Sequence, residues 1–288
     1  MILENDLLQA QVEPKGAELR RLIRKSDNYQ YLWDANPAYW AKTSPVLFPI
    51  VGALKEDTYV YQGKNYHLPR HGFARDMEFA AHRVSATCAE FTLTDSPETR
   101  AVYPFSFQLT LRYELVGSTL VCTYTVSNPD QQHPLLFSIG GHPAFAATTT
   151  ERLTYDHYYL EFPADDVLNC HHVEGNLLGN EASTITLDNH RLPLSHKLFY
   201  NDALVLKSMK SKQLFLRNTV NDNGIGFAHE NFPYFGIWAA KDADFVCLEP
   251  WSGIADTVQH NQQFEEKEGI QRLAAQKKWT GRWLVECF

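Results

Sequence analysis

Three short stretches of the 288-residue chain carry side chains able to move protons or hold a polar ligand. The first is Arg70-His71-Gly72-Phe73-Ala74-Arg75-Asp76. The second is Ser138-Ile139-Gly140-Gly141-His142-Pro143-Ala144-Phe145. The third is Phe245-Val246-Cys247-Leu248-Glu249-Pro250-Trp251. Paired glycines allow a close backbone approach, and Pro143 leaves its position without an N–H for a ladder. His142 is thus held in a defined direction. Read as a strand, the third stretch puts Phe245, Cys247 and Glu249 on one face and Val246 and Leu248 on the other. Both faces are apolar, so Glu249 is a carboxylate at the end of a buried strand. Such groups need partners. Burial raises a carboxyl pKa and a neighbouring cation lowers it, and both suit a group that accepts and returns a proton near neutrality.

Each stretch also has an ordinary structural explanation. A histidine beside glycines can be a hydrogen-bonded loop residue, a strand-end glutamate can be half-exposed or ion-paired, and an arginine in a turn can be a solvated charge. No single one carries a function; their combination is more specific.

The elements around them read as strands. Phe107, Leu109, Leu111, Tyr113 and Leu115 alternate on one face, as do Leu120, Cys122, Tyr124 and Val126. Gly117-Ser118 between them predicts a hairpin turn. Residues 57–68 predict a second hairpin around Gln62-Gly63-Lys64-Asn65, and 204–216 a pair of short strands around Lys210-Ser211-Lys212. Residues 234–239 and 244–249 predict strands flanking Lys241-Asp242. Helical periodicity is confined to one turn at 37–42, with Pro37 at its first position, and a weaker segment at 262–268. Numerous short strands without alternating helices predict a mainly all-β chain, a large antiparallel β-sandwich with few short helices. No linker, repeat or low-complexity tract divides it, so one domain over 1–288 is expected.

Composition narrows the function. Net charge is −8 and no segment concentrates Lys and Arg. That argues against a nucleic-acid or charged-membrane partner. The five cysteines are scattered without a C-x-x-C pair, which predicts buried free thiols. The N-terminal residues lack a basic stretch followed by an apolar one, and no apolar run is long enough to span a bilayer. Cytoplasm is the expected location. His171 and His172 are adjacent and point apart in a strand, and H-E-x-x-H is absent, so no metal or cofactor is expected.

In order and content, the three stretches resemble the aldose 1-epimerase (galactose mutarotase-like) family, most similarly its LacX-related branch. Leu47-Phe48-Pro49-Ile50-Val51-Gly52 and Asn201-Asp202-Ala203-Leu204 extend the resemblance, which runs from about residue 40 to about residue 255. It implies a β-sandwich with a sugar cleft. It implies that Glu249 matches the family's general base, His142 its general acid, His71 the second histidine near the ring oxygen, and Asp202 the sugar-binding aspartate. Members that handle galactose carry arginine in a Gly-Arg-x-x-Asn-Arg stretch. Here Gly52-Ala53-Leu54-Lys55 stands in that place, and Lys55 and Arg75 are expected to supply the positive groups. Trp40, Tyr234, Trp238 and Trp251 lie near the motifs, where aromatic rings can pack on sugar C–H faces or simply fill the core. Trp238 is expected to bind substrate.

The implied activity is interconversion of the anomers of an aldose, without metal, nucleotide or covalent intermediate. An ionised Glu249 and a protonated His142 are expected, each favouring the other's charge. A phosphorylated sugar would draw on Arg70, Arg75 and Lys55. Two alternatives remain open from the sequence. A glycoside hydrolase would pair Asp202 or Asp76 with Glu249 across one bond, at roughly 5–5.5 Å or 6.5–9.5 Å. A non-catalytic sugar-binding or sugar-sensing protein would keep the cleft without needing the acid–base pair.

Overall fold

The computed structural model describes residues 1–147 and 150–288. Two large antiparallel sheets dominate it. The nine-stranded sheet runs, edge to edge, through Arg191–Pro193, Tyr158–Glu161, Gln213–Asn218, Ile225–Glu230, Lys278–Cys287, Thr119–Ser127, Gln108–Val116, Cys88–Thr94 and Ala80–Arg83. The eight-stranded sheet runs through Leu177–Thr186, Val167–Glu174, Leu204–Leu206, Tyr234–Trp238, Phe245–Ser252, Ile139–Gly141 and Val46–Leu47, and Ala144–Ala146 adds to Phe245–Ser252. An N-terminal sheet of four strands lies between residues 2 and 30.

The alternating residues meet where the two sheets face each other. Leu109 pairs with Val126, Leu111 with Tyr124 and Tyr113 with Cys122, and all of them are buried. Phe227 of the larger sheet touches Phe145 and Phe235 of the smaller, with ring centroids 5.8 and 6.0 Å apart. Trp283 is fully buried and its indole N–H donates to the Tyr124 hydroxyl at 3.0 Å, so this large polar handle is satisfied. Full burial of each such side chain stabilises by roughly 1.5–3 kcal/mol before entropy is counted. All five cysteines are free and buried.

The expected hairpins form at 108–127 and 58–67, the latter turning tightly on Gln62 and Gly63, both at positive φ. The two short strands expected around 210–212 form as Leu204–Leu206 and Gln213–Asn218, but they belong to different sheets, and residues 207–212 carry the chain across the sandwich. Asp165 holds that crossing by accepting from the backbone of Lys210 and Ser211 and from the Ser211 hydroxyl. The α-helix found among the described residues, Pro97–Val102, starts in a reciprocal Ser96/Thr99 cap with proline in its first turn. The segments expected to be helical are shorter: a turn at 37–39 and a 3-10 turn at Phe264–Glu266. Among the described residues, no helix is long and apolar enough to cross a membrane.

Candidate active site

The strand Phe245–Ser252 is buried along its whole length and forms the floor of a cleft of about 500 Å³. Its inward residues face the other sheet. Its outward ones, Phe245, Cys247, Glu249 and Trp251, face the cleft side, in step with the period of a strand. On one flank Gly236 pairs with Glu249, and on the other Gly140 pairs with Trp251. A Cβ on Gly236 would come within 2.4 Å of the Trp251 ring, and one on Gly140 within 2.6 Å. Two glycines therefore let the indole lie flat across the sheet beside the carboxylate.

The same register explains why His142 and Glu249 meet. Gly140 lies opposite Trp251 and Ala144 opposite Cys247. Continued between those pairs, the register sets His142 opposite Glu249. His142 Nε2 is 3.2 Å from Glu249 Oε2. Trp40 stacks on the His142 ring at 5.0 Å, and Trp238 meets it edge-on at 5.6 Å. The imidazole is held on both sides.

Burial sets the charge of this pair. It pushes His142 down to about 3, with the positive charges of Arg70 and Arg75 acting in the same direction. It pushes the Glu249 carboxyl well above the usual range; Asp202 adds to that shift, while Arg70 and the nearby Trp251 indole oppose it. The sequence predicts an imidazolium facing a carboxylate. Desolvation outweighs their attraction and favours a neutral imidazole beside a neutral carboxyl. The two descriptions contain the same number of protons. They differ by one proton moved across 3.2 Å.

His71 approaches from a loop zipped to residues 48–52. Its N–H donates to Gly52 O, Phe48 N–H donates to His71 O, and both His71 and Gly72 have φ near +69°. A non-glycine residue there is uncommon, and this one faces a cleft. His71 Nδ1 is 3.1 Å from the Gly52 N–H, and Nε2 is 3.2 Å from Arg70 Nε. Burial keeps this ring neutral, with Arg70 reinforcing the shift. A neutral imidazole has one lone pair and cannot accept from both. The backbone N–H is fixed, so Nδ1 accepts and Nε2 carries the proton. The Arg70 Nε–H aimed at Nε2 then meets a ring N–H instead of a lone pair.

Of the other expected residues, Arg75, Asp202 and Trp238 line the cleft. Arg75 donates to Arg70 O at 3.0 Å, and Asp202 lies 3.7 Å from Arg70 Nη2. Lys55 is a correction. It does not line the cleft; its Nζ donates to His260 O and its backbone N–H to buried Asp256. Asp76 is also absent from the lining and sits with Lys42. Arg70, which the sequence suggests only for a phosphate, lines the cleft, as do Asn176 and Lys241, which it does not single out. Arg70 is central, reaching His71, Asp202 and Asn176. Its signal was its place beside His71. Asn176, at a hairpin tip remote in sequence, had none. The fold also gathers one donor set that local spacing did not reveal: His142, Cys247 and Glu249, with ligand atoms within 4.8 Å of one another.

The aldose 1-epimerase family model matches residues 1–271. The chain is 30% identical over 282 residues to the chromosomal protein LacX of Lactococcus lactis subsp. lactis, covering 94% of this chain and 93% of that one. The structure is similar to a galactose mutarotase related enzyme from Lactobacillus acidophilus, with TM-score 0.95, 30% identity, and 100% and 97% of the two chains covered. It is also similar to a galactose mutarotase-like protein from Lactobacillus casei, with TM-score 0.92, 29% identity, and 100% and 99% covered. With the motifs spread over a matched length of 271 residues and a galactose mutarotase-like fold, the chain belongs to the aldose 1-epimerase family.

Proposed function

We propose that the protein interconverts the α and β anomers of an aldose by acid–base ring opening. The observation that carries this reading is the 3.2 Å approach of His142 Nε2 to Glu249 Oε2 on the floor of a cleft. Anomer exchange needs one proton removed from the C1 hydroxyl and one delivered to the ring oxygen. The C1–ring oxygen bond then breaks to leave an aldehyde, the aldehyde turns, and the ring closes on its other face with the two groups in exchanged roles. A pair sharing a single proton suits this sequence, because it ends each cycle as it began.

In this reading the shared proton passes from Glu249 to His142 as the sugar binds. Hydroxyl groups of the substrate and the charge of Arg70 then stabilise the carboxylate that burial disfavours. Glu249 accepts the C1 proton and His142 donates to the ring oxygen. Positioned acid and base groups typically contribute about 10²–10⁴-fold each. His71 and Arg70, both on the cleft wall, offer N–H groups to substrate oxygens. Asp202 accepts from a hydroxyl, Arg75 backs Arg70, and Trp40 and Trp238 offer ring faces to sugar C–H groups.

Polarimetry over a panel of free aldoses and aldose phosphates tests the proposal. Accelerated relaxation to the anomeric equilibrium is expected for at least one sugar, at micromolar enzyme. Uncatalysed rates across the whole panel, with sugar binding retained, would instead make this a sugar-binding protein.

A further inference from the structure

Cys247 has no part in the proposed reaction. It is fully buried, does not line the cleft, and sits on the same strand face as Glu249, two residues away. Its thiol nevertheless belongs to a close group. One ring nitrogen of His142, the sulfur of Cys247 and a carboxylate oxygen of Glu249 all lie within 4.8 Å of one another. Glu249 is 1% exposed, and its Oε2 has no aligned hydrogen bond, its near neighbour being His142 Nε2 at 3.2 Å, itself a member of the group. A cation in place of the shared proton would satisfy the carboxylate oxygen and the imidazole nitrogen together.

The donor set indicates which cation. One imidazole, one thiol sulfur and one carboxylate match zinc and its borderline-soft neighbours better than magnesium or calcium, which take oxygen. Around tetrahedral zinc, with bonds of about 2.0–2.3 Å, neighbouring donor atoms lie roughly 3.3–3.7 Å apart. The 3.2 Å between His142 Nε2 and Glu249 Oε2 is close to one such edge. The sulfur needs to close by about 1 Å to complete the others, a movement of the size a cysteine side chain makes by adjusting its χ1 angle. Both His142 and Glu249 border the cleft, so an ion enters from there and keeps its fourth position facing the cleft.

We infer that His142, Cys247 and Glu249 form a three-ligand site for a zinc-class divalent cation, whose occupancy blocks the sugar reaction. Binding replaces the protons on the Cys247 thiol and the Glu249 carboxyl with one M²⁺ ion, so two protons leave for each ion bound and no redox change occurs. The ion consumes both groups that would transfer protons to and from the sugar. Inhibition is therefore competitive with the sugar.

Cobalt(II) titration of the full-length protein reads the site without reference to turnover. We expect one equivalent of Co²⁺ to give a thiolate-to-cobalt charge-transfer band that Zn²⁺ displaces. Cys247→Ala abolishes the band and weakens Zn²⁺ binding at least tenfold, while the other four cysteines remain. Glu249→Gln keeps the thiol and also weakens binding, which provides a second arm should Cys247→Ala fail to fold. In the anomerisation assay Cys247→Ala turns over and resists Zn²⁺ at least tenfold better than the parent chain. Absence of the band in the parent chain overturns the inference, as does a band that survives Cys247→Ala. A band in a chain that anomerises no sugar leaves the metal site standing and removes the enzymatic proposal instead.

Discussion

At Glu249, stability and reactivity pull in opposite directions. Burial raises its carboxyl pKa above the unfolded value. A group displaced this way stabilises fully below its unfolded pKa, and that contribution is lost as pH rises toward the folded one. Glu249→Gln removes the titration and keeps the shape. Its melting temperature is expected to exceed that of the parent chain by an amount that widens between pH 5 and pH 8. In a chain this large, about 1 kcal/mol moves the melting point by roughly 2–4 °C. The same variant should lose about 10²–10⁴-fold in turnover. A variant that is slower yet more heat-stable marks a functional carboxyl, and one that is less stable at every pH marks a structural one. His142 is shifted the other way, to about 3. Protonation of the free cleft is therefore resisted well below the ordinary histidine range, and kcat/KM should show no acid limb near pH 6.5. A limb centred between pH 6 and 7 would place an ionised His142 in the free protein and contradict the neutral pair.

Among the elements, those that position the pair are short and depend on close contacts. Gly72 sits at φ +69°, and a Cβ there would come within 2.3 Å of the Phe48 carbonyl oxygen. Gly72→Ala should cost about 1–3 kcal/mol in backbone strain and displace His71. Thermal melting and the sugar KM check the two effects, and an unchanged KM would detach the 70–74 loop from binding. The strands themselves were legible, since a period of two over nine residues leaves little freedom in 108–116 and 119–127. Partner choice was less so. Leu204–Leu206 is apolar whichever sheet it joins, and only tertiary packing sends 213–218 to the other one. Proximity across the fold was also hidden. The register that sets His142 opposite Glu249 depends on strands more than 100 residues apart. Lys55 stood in the right motif, but its side chain turns away to His260. Arg70, first residue of a recognised motif, earned its place only once its contacts to His71, Asp202 and Asn176 were known.

Across the whole molecule, the core between the sheets and the cleft on the outer side of one sheet are separate mechanical problems. Leu111 is fully buried between the sheets and Lys267 is fully buried against Asp256 at 2.9 Å. Leu111→Ala should cost roughly 2–5 kcal/mol through lost contact and a residual cavity. Lys267→Met should cost roughly 3–5 kcal/mol by leaving the Asp256 charge without its ammonium. Denaturant unfolding measures both. The core variant is expected to keep its turnover at low temperature, because it does not touch the cleft. The Lys267 variant is expected to raise KM as well, because Asp256 fixes residues 53–55 next to the Gly52 N–H that orients His71. Equal kinetic behaviour in the two would argue against that separation.

The most direct test is exchange NMR of anomeric protons, which reads interconversion at equilibrium without a coupled assay. Catalysed α–β exchange is predicted for the parent chain with at least one aldose or aldose phosphate, and a loss of about 10²–10⁴-fold in both Glu249→Gln and His142→Asn with the sugar still bound. Exchange at the parent rate in either folded variant would contradict the claim that this pair carries the protons.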